Sequence, residues 1–472
     1  MNRFVWTTCA ILVLAAAGLQ AQDGSLEARM RKIEEENARI QRELEHSRRE
    51  NAELRGVVGD LRGETDRLKE ERDEAVDNFL ERHINAVSEV IQDTEWSHAT
   101  KTGIGLRFYG YIRMDAYWDS ARATDPIIPF GVLPEGGAVR PNDAQFAFDS
   151  RLTRFGIEFD AGKIGSADVT ARLETDFANF PTGSPESRET PRIRLAYINI
   201  DFGELTIRMG QDWDVISPLN PAVNYELLLW GAGNLGDRRP QAQLIWETGD
   251  PTGTTFTAEL SAGMTGAIDA LDLDGLGGRT NIDGFDSGHP HVQGRLAVGF
   301  NSWVTGQRAA IGVWGYWAAL DTDMTFGGED EFNPFAVGID LNLPIVNRVK
   351  LVGEAWYGQA LSDIRGNILQ NINRTTGDEI AGWGGWVEVH WQVTDTFRLA
   401  FGGSIDDPDE DDLAAGVSGQ DRNLNWTTYV SSKLDLGGGL STGLDVIYWE
   451  TQYLGTGLGN MVRVNYWIQL NF

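Results

Sequence analysis

The sequence predicts an all-β transmembrane barrel of about 16 antiparallel strands, preceded by an α-helical coiled-coil stalk. Three observations carry that prediction. The last residues alternate strictly, with Val462, Val464, Tyr466, Ile468, Leu470 and Phe472 on one parity and Arg463, Asn465, Trp467, Gln469 and Asn471 on the other. A period of two sends one set to each face of a strand, here one apolar and one polar. Segments of the same kind recur from residue 104 onward, joined by connections in which every second one is short. Between Leu26 and Ala75 the period changes to seven.

Taken in order, residues 1–21 read as a secretory signal, with Arg3 at the positive end, an apolar run from Ala10 to Ala17, and cleavage after Ala21. The only cysteine, Cys9, falls inside it, so disulfides and thiolate chemistry are excluded from the remainder. Residues 22–95 form the stalk. Leu26, Ile33, Ile40, Ser47, Leu54, Leu61, Leu68 and Ala75 occupy heptad position d, and Met30, Asn37, Leu44, Asn51, Val58, Thr65 and Arg72 position a. The apolar d residues Leu26, Ile33, Ile40, Leu54, Leu61 and Leu68 are the candidate self-association contacts. At ~1.5 Å per residue, the helix would reach roughly 75–105 Å. Residues 96–103 are the expected linker and 104–472 the barrel.

In the barrel, the first strand sends Ile104, Leu106, Phe108, Ile112, Met114 and Trp118 one way and Arg107, Tyr109, Arg113, Asp115 and Tyr117 the other. Further strands are expected near 144–160, 166–178, 191–202, 204–212, 239–248, 255–265, 291–300, 308–320 and 334–343. The last six fall near 348–360, 382–392, 396–405, 424–435, 440–450 and 461–472. Parity changes within 144–160 and within 191–202, which predicts a bulge or a boundary in each. The link at Gly203 is too tight for a hairpin, so the strand ends beside it are set too long. Connections 120–143, 213–238, 266–290, 361–381 and 406–423 are long and mostly polar. The exception is 213–237, where Val215, Ile216, Leu219, Tyr225, Leu227 to Leu229 and Trp230 make a loop too apolar for water. It is expected to fold inward and narrow the lumen, carrying Asp212, Trp213, Asp214, Tyr225, Glu226 and Trp230 to the constriction.

Several segments in this order resemble the DcaP-like porins: Gly110-Tyr-Ile-Arg-Met-Asp-Ala-Tyr-Trp-Asp119, Ser150-Arg-Leu-Thr-Arg-Phe-Gly156, Arg192-Ile-Arg-Leu-Ala-Tyr197, Gly210-Gln-Asp-Trp213 and Arg238-Arg-Pro-Gln241. The resemblance is densest over 104–247 and architectural beyond. It implies a homotrimer of sixteen-stranded outer-membrane channels with a coiled coil, associated with small anions such as dicarboxylates. It also implies that Arg151, Arg154, Arg192 and Arg194 belong to the pore wall. The sequence departs from the family at Asp212 and Asp214, where neutral hydroxyl residues are usual.

The formal charge of −30 excludes a nucleic-acid partner, which needs a basic face. No nucleophile elbow, zincin helix or phosphate-binding loop is present, so no enzyme is expected, and no cofactor. His289-Pro-His291 and the run Asp406 to Asp412 read as plain and solvated acidic loops, not as metal sites. Charges within strands must avoid lipid, so parity places Arg107, Arg113, Arg154, Arg172, Arg208, Arg295, Lys350, Arg398 and Arg463 in the lumen. Asp115, Glu158, Glu174, Asp176, Glu259, Glu354, Glu388 and Asp445 join them. With Arg151, Arg192 and Arg194 added because the resemblance implies them, the expected basic wall is Arg107, Arg113, Arg151, Arg154, Arg172, Arg192, Arg194 and Arg208. Phe472 is the expected assembly signal. Two functions fit: a diffusion channel for small anionic solutes, or an anchor tethering a periplasmic stalk to peptidoglycan. Both need outer-membrane lipid and lipopolysaccharide as surroundings.

Overall fold

The computed structural model describes residues 103–125, 128–136, 141–178, 190–223, 228–269, 272–273, 283–417 and 419–472, with scattered positions between Ala38 and Arg67 that are helical and exposed. The candidate coiled-coil contacts Leu26, Ile33, Ile40, Leu54, Leu61 and Leu68 lie outside the described residues, as do Tyr225 and Glu226. The chain divides into two units between Thr94 and Glu95.

The second unit contains β1 (Gly105–Asp119), β2 (Gln145–Asp149), β3 (Arg154–Ile164), β4 (Ala167–Asp176), β5 (Arg192–Asp201) and β6 (Leu205–Trp213). There follow β7 (Arg238–Gly249), β8 (Thr255–Gly263), β9 (His291–Asn301), β10 (Arg308–Trp317), β11 (Leu320–Phe326) and β12 (Glu329–Phe332). The rest are β13 (Phe335–Val346), β14 (Val349–Gln359), β15 (Ala381–Gln392), β16 (Phe397–Pro408), β17 (Arg422–Gly437), β18 (Leu440–Tyr453) and β19 (Gly457–Asn471). β2 and β3 both pair with β1 and act as one wall strand interrupted at 150–153. β11 and β12 form a separate hairpin. What remains is a closed antiparallel barrel of 16 strands.

Closure joins the first strand to the last, from Tyr111 opposite Asn471 to Asp119 opposite Arg463. Phe472 extends the seam: its amide donates to the Gly110 carbonyl at 3.1 Å, and the Gly110 amide donates to its carbonyl at 3.2 Å. With no open edge, every wall strand has two partners, which a lipid-facing sheet requires. The outer face is apolar, with Phe108, Ile112, Met114 and Trp118 on β1, Val387, Val389 and Trp391 on β15, and Tyr466, Ile468 and Leu470 on β19 all exposed.

Both parity changes mark real irregularities. The first is the break between β2 and β3. The second is a bulge in β5, where Glu174 faces Leu195 and Thr175 faces Ile193, leaving Arg194 as the extra residue. Connections at one rim are the short 165–166, 202–204, 250–254, 302–307, 347–348, 393–396 and 438–439, which relieves the crowding at Gly203. The other rim carries 120–144, 177–191, 214–237, 264–290, 318–334, 360–380 and 409–421, with only 454–456 short.

Inside the wall, large rings lie over glycines directly opposite them on the next strand. Tyr109 faces Gly156, Trp314 faces Gly338, Trp356 faces Gly384, Tyr429 faces Gly402 and Trp467 faces Gly443. A Cβ at Gly156 would sit 2.1 Å from the Tyr109 ring, so the flat ring replaces the missing side chain and fixes the register.

Candidate pore and its constriction

The described residues of the loop 214–237 lie inside the barrel. Val215, Ile216, Val223, Leu229, Trp230, Ala232 and Leu235 are buried. Ile216 and Leu235 pack with Trp314, Tyr316 and Trp356 of the wall. Val223 and Leu229 join Val352, Trp386 and Tyr429 in a second cluster. An internal loop must still satisfy its backbone. The far wall does so with side chains of strands β14 to β17. The Leu219 amide donates to Glu354 at 2.8 Å, the Ala222 amide to Glu388 at 2.9 Å, and the Ser217 hydroxyl to Glu354. Trp356 donates to the Gly233 carbonyl at 2.8 Å, Asn425 to that of Gly231 at 2.6 Å and Ser431 to that of Ala222 at 2.8 Å.

A second loop, 360–380, is also internal. Sequence reading counts it among the polar connections, yet it buries Leu361, Ile364, Ile368, Ile372 and Ile380. Those five residues are the signal that reveals it. Asn367, Ile368 and Leu369 hold positive φ of 52°, 49° and 60°, which costs about 1–3 kcal/mol each and persists only where surroundings enforce it. The start of this loop is held by a clasp around Arg239, which is fully buried. It donates to Asp214 at 2.8 and 3.0 Å, to the Asp363 carboxylate at 2.5 Å and to the Asp363 carbonyl at 2.6 Å. Asp363 also receives the Gly266 and Ile268 amides, each at 2.9 Å. Beside it, Arg365 grips Asp237 at 2.7 Å and stacks on Trp230 at 4.7 Å. Burial raises the Asp237 carboxyl, but Arg238 and Arg365 outweigh it and hold the group below its ordinary range.

The constriction residues expected from sequence therefore take different places. Asp212 and Trp213 end β6 and are not loop residues. Asp212 belongs to the same wall as the arginines, bound by Arg208 at 2.5 Å, and Arg238 stacks on Trp213 at 4.7 Å. Asp214 is buried in the clasp and presents no charge to the far side. Trp230 is buried as an anchor. The acidic run 406–412 begins inside the fold too: Asp406 lies in β16 and is wholly buried, so it is no part of a solvated loop.

On the wall of β1 to β6, carboxylates stand among the arginines. Arg107 donates to Glu158 at 2.7 Å, and Arg172 reaches the same carboxylate from the other side. Arg192 and Arg194 share Asp176, each at 2.7 Å, and Arg194 also holds Glu174 at 2.9 Å. Arg154 stands 3.5 Å from Glu174. Arg113 pairs with Asp115 at 2.6 Å and Arg151 with Asp149 at 3.1 Å. Exposure separates the eight. The side chains of Arg107, Arg154, Arg172, Arg192 and Arg208 are 64, 23, 36, 24 and 25% accessible, against 6, 7 and 5% for Arg113, Arg151 and Arg194. The first five are partly open, whereas the last three are buried within the wall. Two cavities line this side. One of about 200 Å³ touches Glu158, Arg172, Tyr197 and Asn199, and one of about 220 Å³ touches Arg208, Asp212, Ser217, Asn220, Gln243 and Glu259.

A closed sixteen-stranded barrel with short turns at one rim, long loops at the other and its third loop folded into a charged lumen has the porin architecture. Among solved structures, the outer membrane channel DcaP of Acinetobacter baumannii matches 79% of this chain over 99% of its own, at 15% identity and a TM-score of 0.63. An anion-selective porin from Comamonas acidovorans matches 78% over 100% of its own length, at 11% identity and a TM-score of 0.52. No protein-family model and no curated protein matches the sequence.

Proposed function

We propose that the protein is an outer-membrane porin, a passive diffusion channel for small hydrophilic solutes that favours anions such as dicarboxylates. The observation that carries this reading is the division of the lumen. Folded loops cover the side of β14 to β17, while the side of β1 to β6 keeps five partly accessible arginines beside cavities of about 200 and 220 Å³. Guanidinium groups suit two-point contact with a carboxylate. The accessible pairs would exchange one carboxylate partner for another as a solute passes. The fold shared with a protein described as an anion-selective porin supports the same direction. In this reading the short-turn rim faces the periplasm, where the heptad segment forms a stalk, and three copies assemble in outer-membrane lipid and lipopolysaccharide. Whether the stalk also meets peptidoglycan is a question for crosslinking to sacculi.

Single-channel recording of the purified protein in a planar bilayer tests the channel. Discrete conductance steps in simple salt are expected. A protein that inserts, is folded by heat-modifiability and gives no steps is an anchor and not a channel.

A further inference from the structure

We propose that Lys350, Arg398 and Lys433 form a binding site for a small oxyanion carrying two negative charges, inside the lumen at the short-turn end and beneath the folded loop. The proposal rests on the channel reading only for how the anion arrives.

Parity places all three on the lumen face. Lys350 shares its side of β14 with Glu354 and Trp356, which hold the loop, while Tyr357 points out. Arg398 shares its side of β16 with buried Ala400 and Ser404, and Phe401 is exposed outside. Lys433 follows buried Tyr429 and Ser431, and Val430 is exposed outside. Register brings them together. Arg398 lies directly opposite Lys433, which places their Cβ atoms about 4.5–5.5 Å apart. Lys350 lies opposite His390, whose strand places Gln392 opposite Arg398.

Their electrostatics differ from those of other lumen cations. Arg107 and Arg172 each face Glu158 across the ladder, Arg192 faces Asp176, Arg295 faces Glu259 and Arg463 faces Asp119. Arg398 faces another cation, an arrangement that destabilises a sheet. Among the described residues, Lys350, Arg398 and Lys433 form no ion pair and no side-chain hydrogen bond. The lumen-face acids nearest in register are Glu388, diagonal to Lys350, and Asp435 and Asp445, beside Lys433. Glu388 is engaged by the Ala222 amide, the Tyr429 hydroxyl and His390, Asp435 receives the Gly437 amide at 2.9 Å, and Asp445 receives the Asn465 side-chain amide at 3.4 Å. A local conflict that the fold keeps without internal compensation points to a ligand that supplies the missing charge.

Depth completes the case. The loop touches the wall at Glu388 and Ser431, and His390 and Lys433 lie two residues further toward the short turns. Two residues of strand are about 7 Å. The three cations therefore stand just past the loop, on its short-turn side. Two directly opposed cations, with a third across the intervening β15, match a doubly charged oxyanion better than chloride.

Equilibrium dialysis of radiolabelled sulfate against the detergent-solubilised full-length protein at low ionic strength tests this without requiring conduction. Wild type should bind sulfate, and K350Q/R398Q/K433Q should weaken binding by at least about tenfold while keeping normal heat-modifiability. The charge-retaining variant K433R should bind as wild type does. K163Q, which removes an exposed cation at the short-turn rim outside the site, should also bind normally. Absence of sulfate binding to wild type, or binding within twofold in the triple variant, overturns the site. Conductance of the same preparations reports separately on the channel reading.

Discussion

The wall of β1 to β6 and the wall of β14 to β17 both line one barrel, yet they satisfy their polar groups by opposite means. On the first, arginines are neutralised by carboxylates of the same or the next strand, as with Arg107, Glu158 and Arg172. That wall holds itself together and stays available to water. On the second, Glu354, Glu388, Asn425 and Ser431 spend their hydrogen bonds on the backbone of the folded loop. The loop turns that wall into a core. The lesson is that side-chain pairing within a sheet leaves a wettable surface, whereas pairing with a loop removes one.

The seam joins the first strand to the last and closes the barrel, so the largest effect is expected there. Deleting Phe472, or Phe472→Asp, should abolish assembly, because the residue closes both hydrogen bonds with Gly110 and its ring stands 6.0 Å from that of Phe155. Fractionation and gel heat-modifiability would report it, and normal outer-membrane barrel after the deletion would refute it. Next comes the clasp by which Arg239 of β7 holds both internal loops. Arg239→Leu leaves Asp214 and Asp363 buried without their cation, a loss of about 3–5 kcal/mol. The temperature at which the folded band disappears should fall markedly. An unchanged temperature would mean that hydrophobic packing alone keeps the loop inside.

Removing the acceptors on the second wall is a milder test. Glu354→Ala with Glu388→Ala strands loop amides at a cost of about 1–3 kcal/mol each, while the apolar clusters persist. The loop should loosen, giving larger and noisier conductance steps. Steps identical to wild type would show that the acids do not position it. The smallest effect falls on the first wall, where R154A/R194A leaves Glu174 without its arginines and Asp176 with Arg192 alone, while Arg107, Arg172, Arg192 and Arg208 remain. The reversal potential in a salt gradient should shift only part of the way toward cations.

How much of this was legible in the sequence follows from range. The sixteen wall strands and the parity breaks at 150–153 and Arg194 depend on period two within a few residues, and so they can be read locally. The inward course of 214–237 is written in its apolar residues, and the same signal in 360–380 is present at Leu361, Ile364, Ile368, Ile372 and Ile380. The β11–β12 hairpin carries Gly327-Gly328 between alternating segments, but nothing in its sequence says that it pairs with no wall strand. Ion pairing is another matter. Whether Arg398 meets an acid or Lys433 is decided by register between segments far apart along the chain. For the same reason Asp214 looks like a pore acid in the sequence and is a buried partner of Arg239 in the fold.

Selectivity is governed by charges within about a Debye length of the narrowest point, ~8 Å at physiological salt, and not by the whole-chain charge of −30. The most direct test of the account is the zero-current potential of the wild-type protein across a planar bilayer in a potassium chloride gradient. With Arg107, Arg154, Arg172, Arg192 and Arg208 as the accessible charges of the open wall, the potential should carry the sign of a modest chloride preference. A strongly cation-selective potential would contradict it, and would mean that Glu158, Glu174, Asp176 and Asp212 control the path instead.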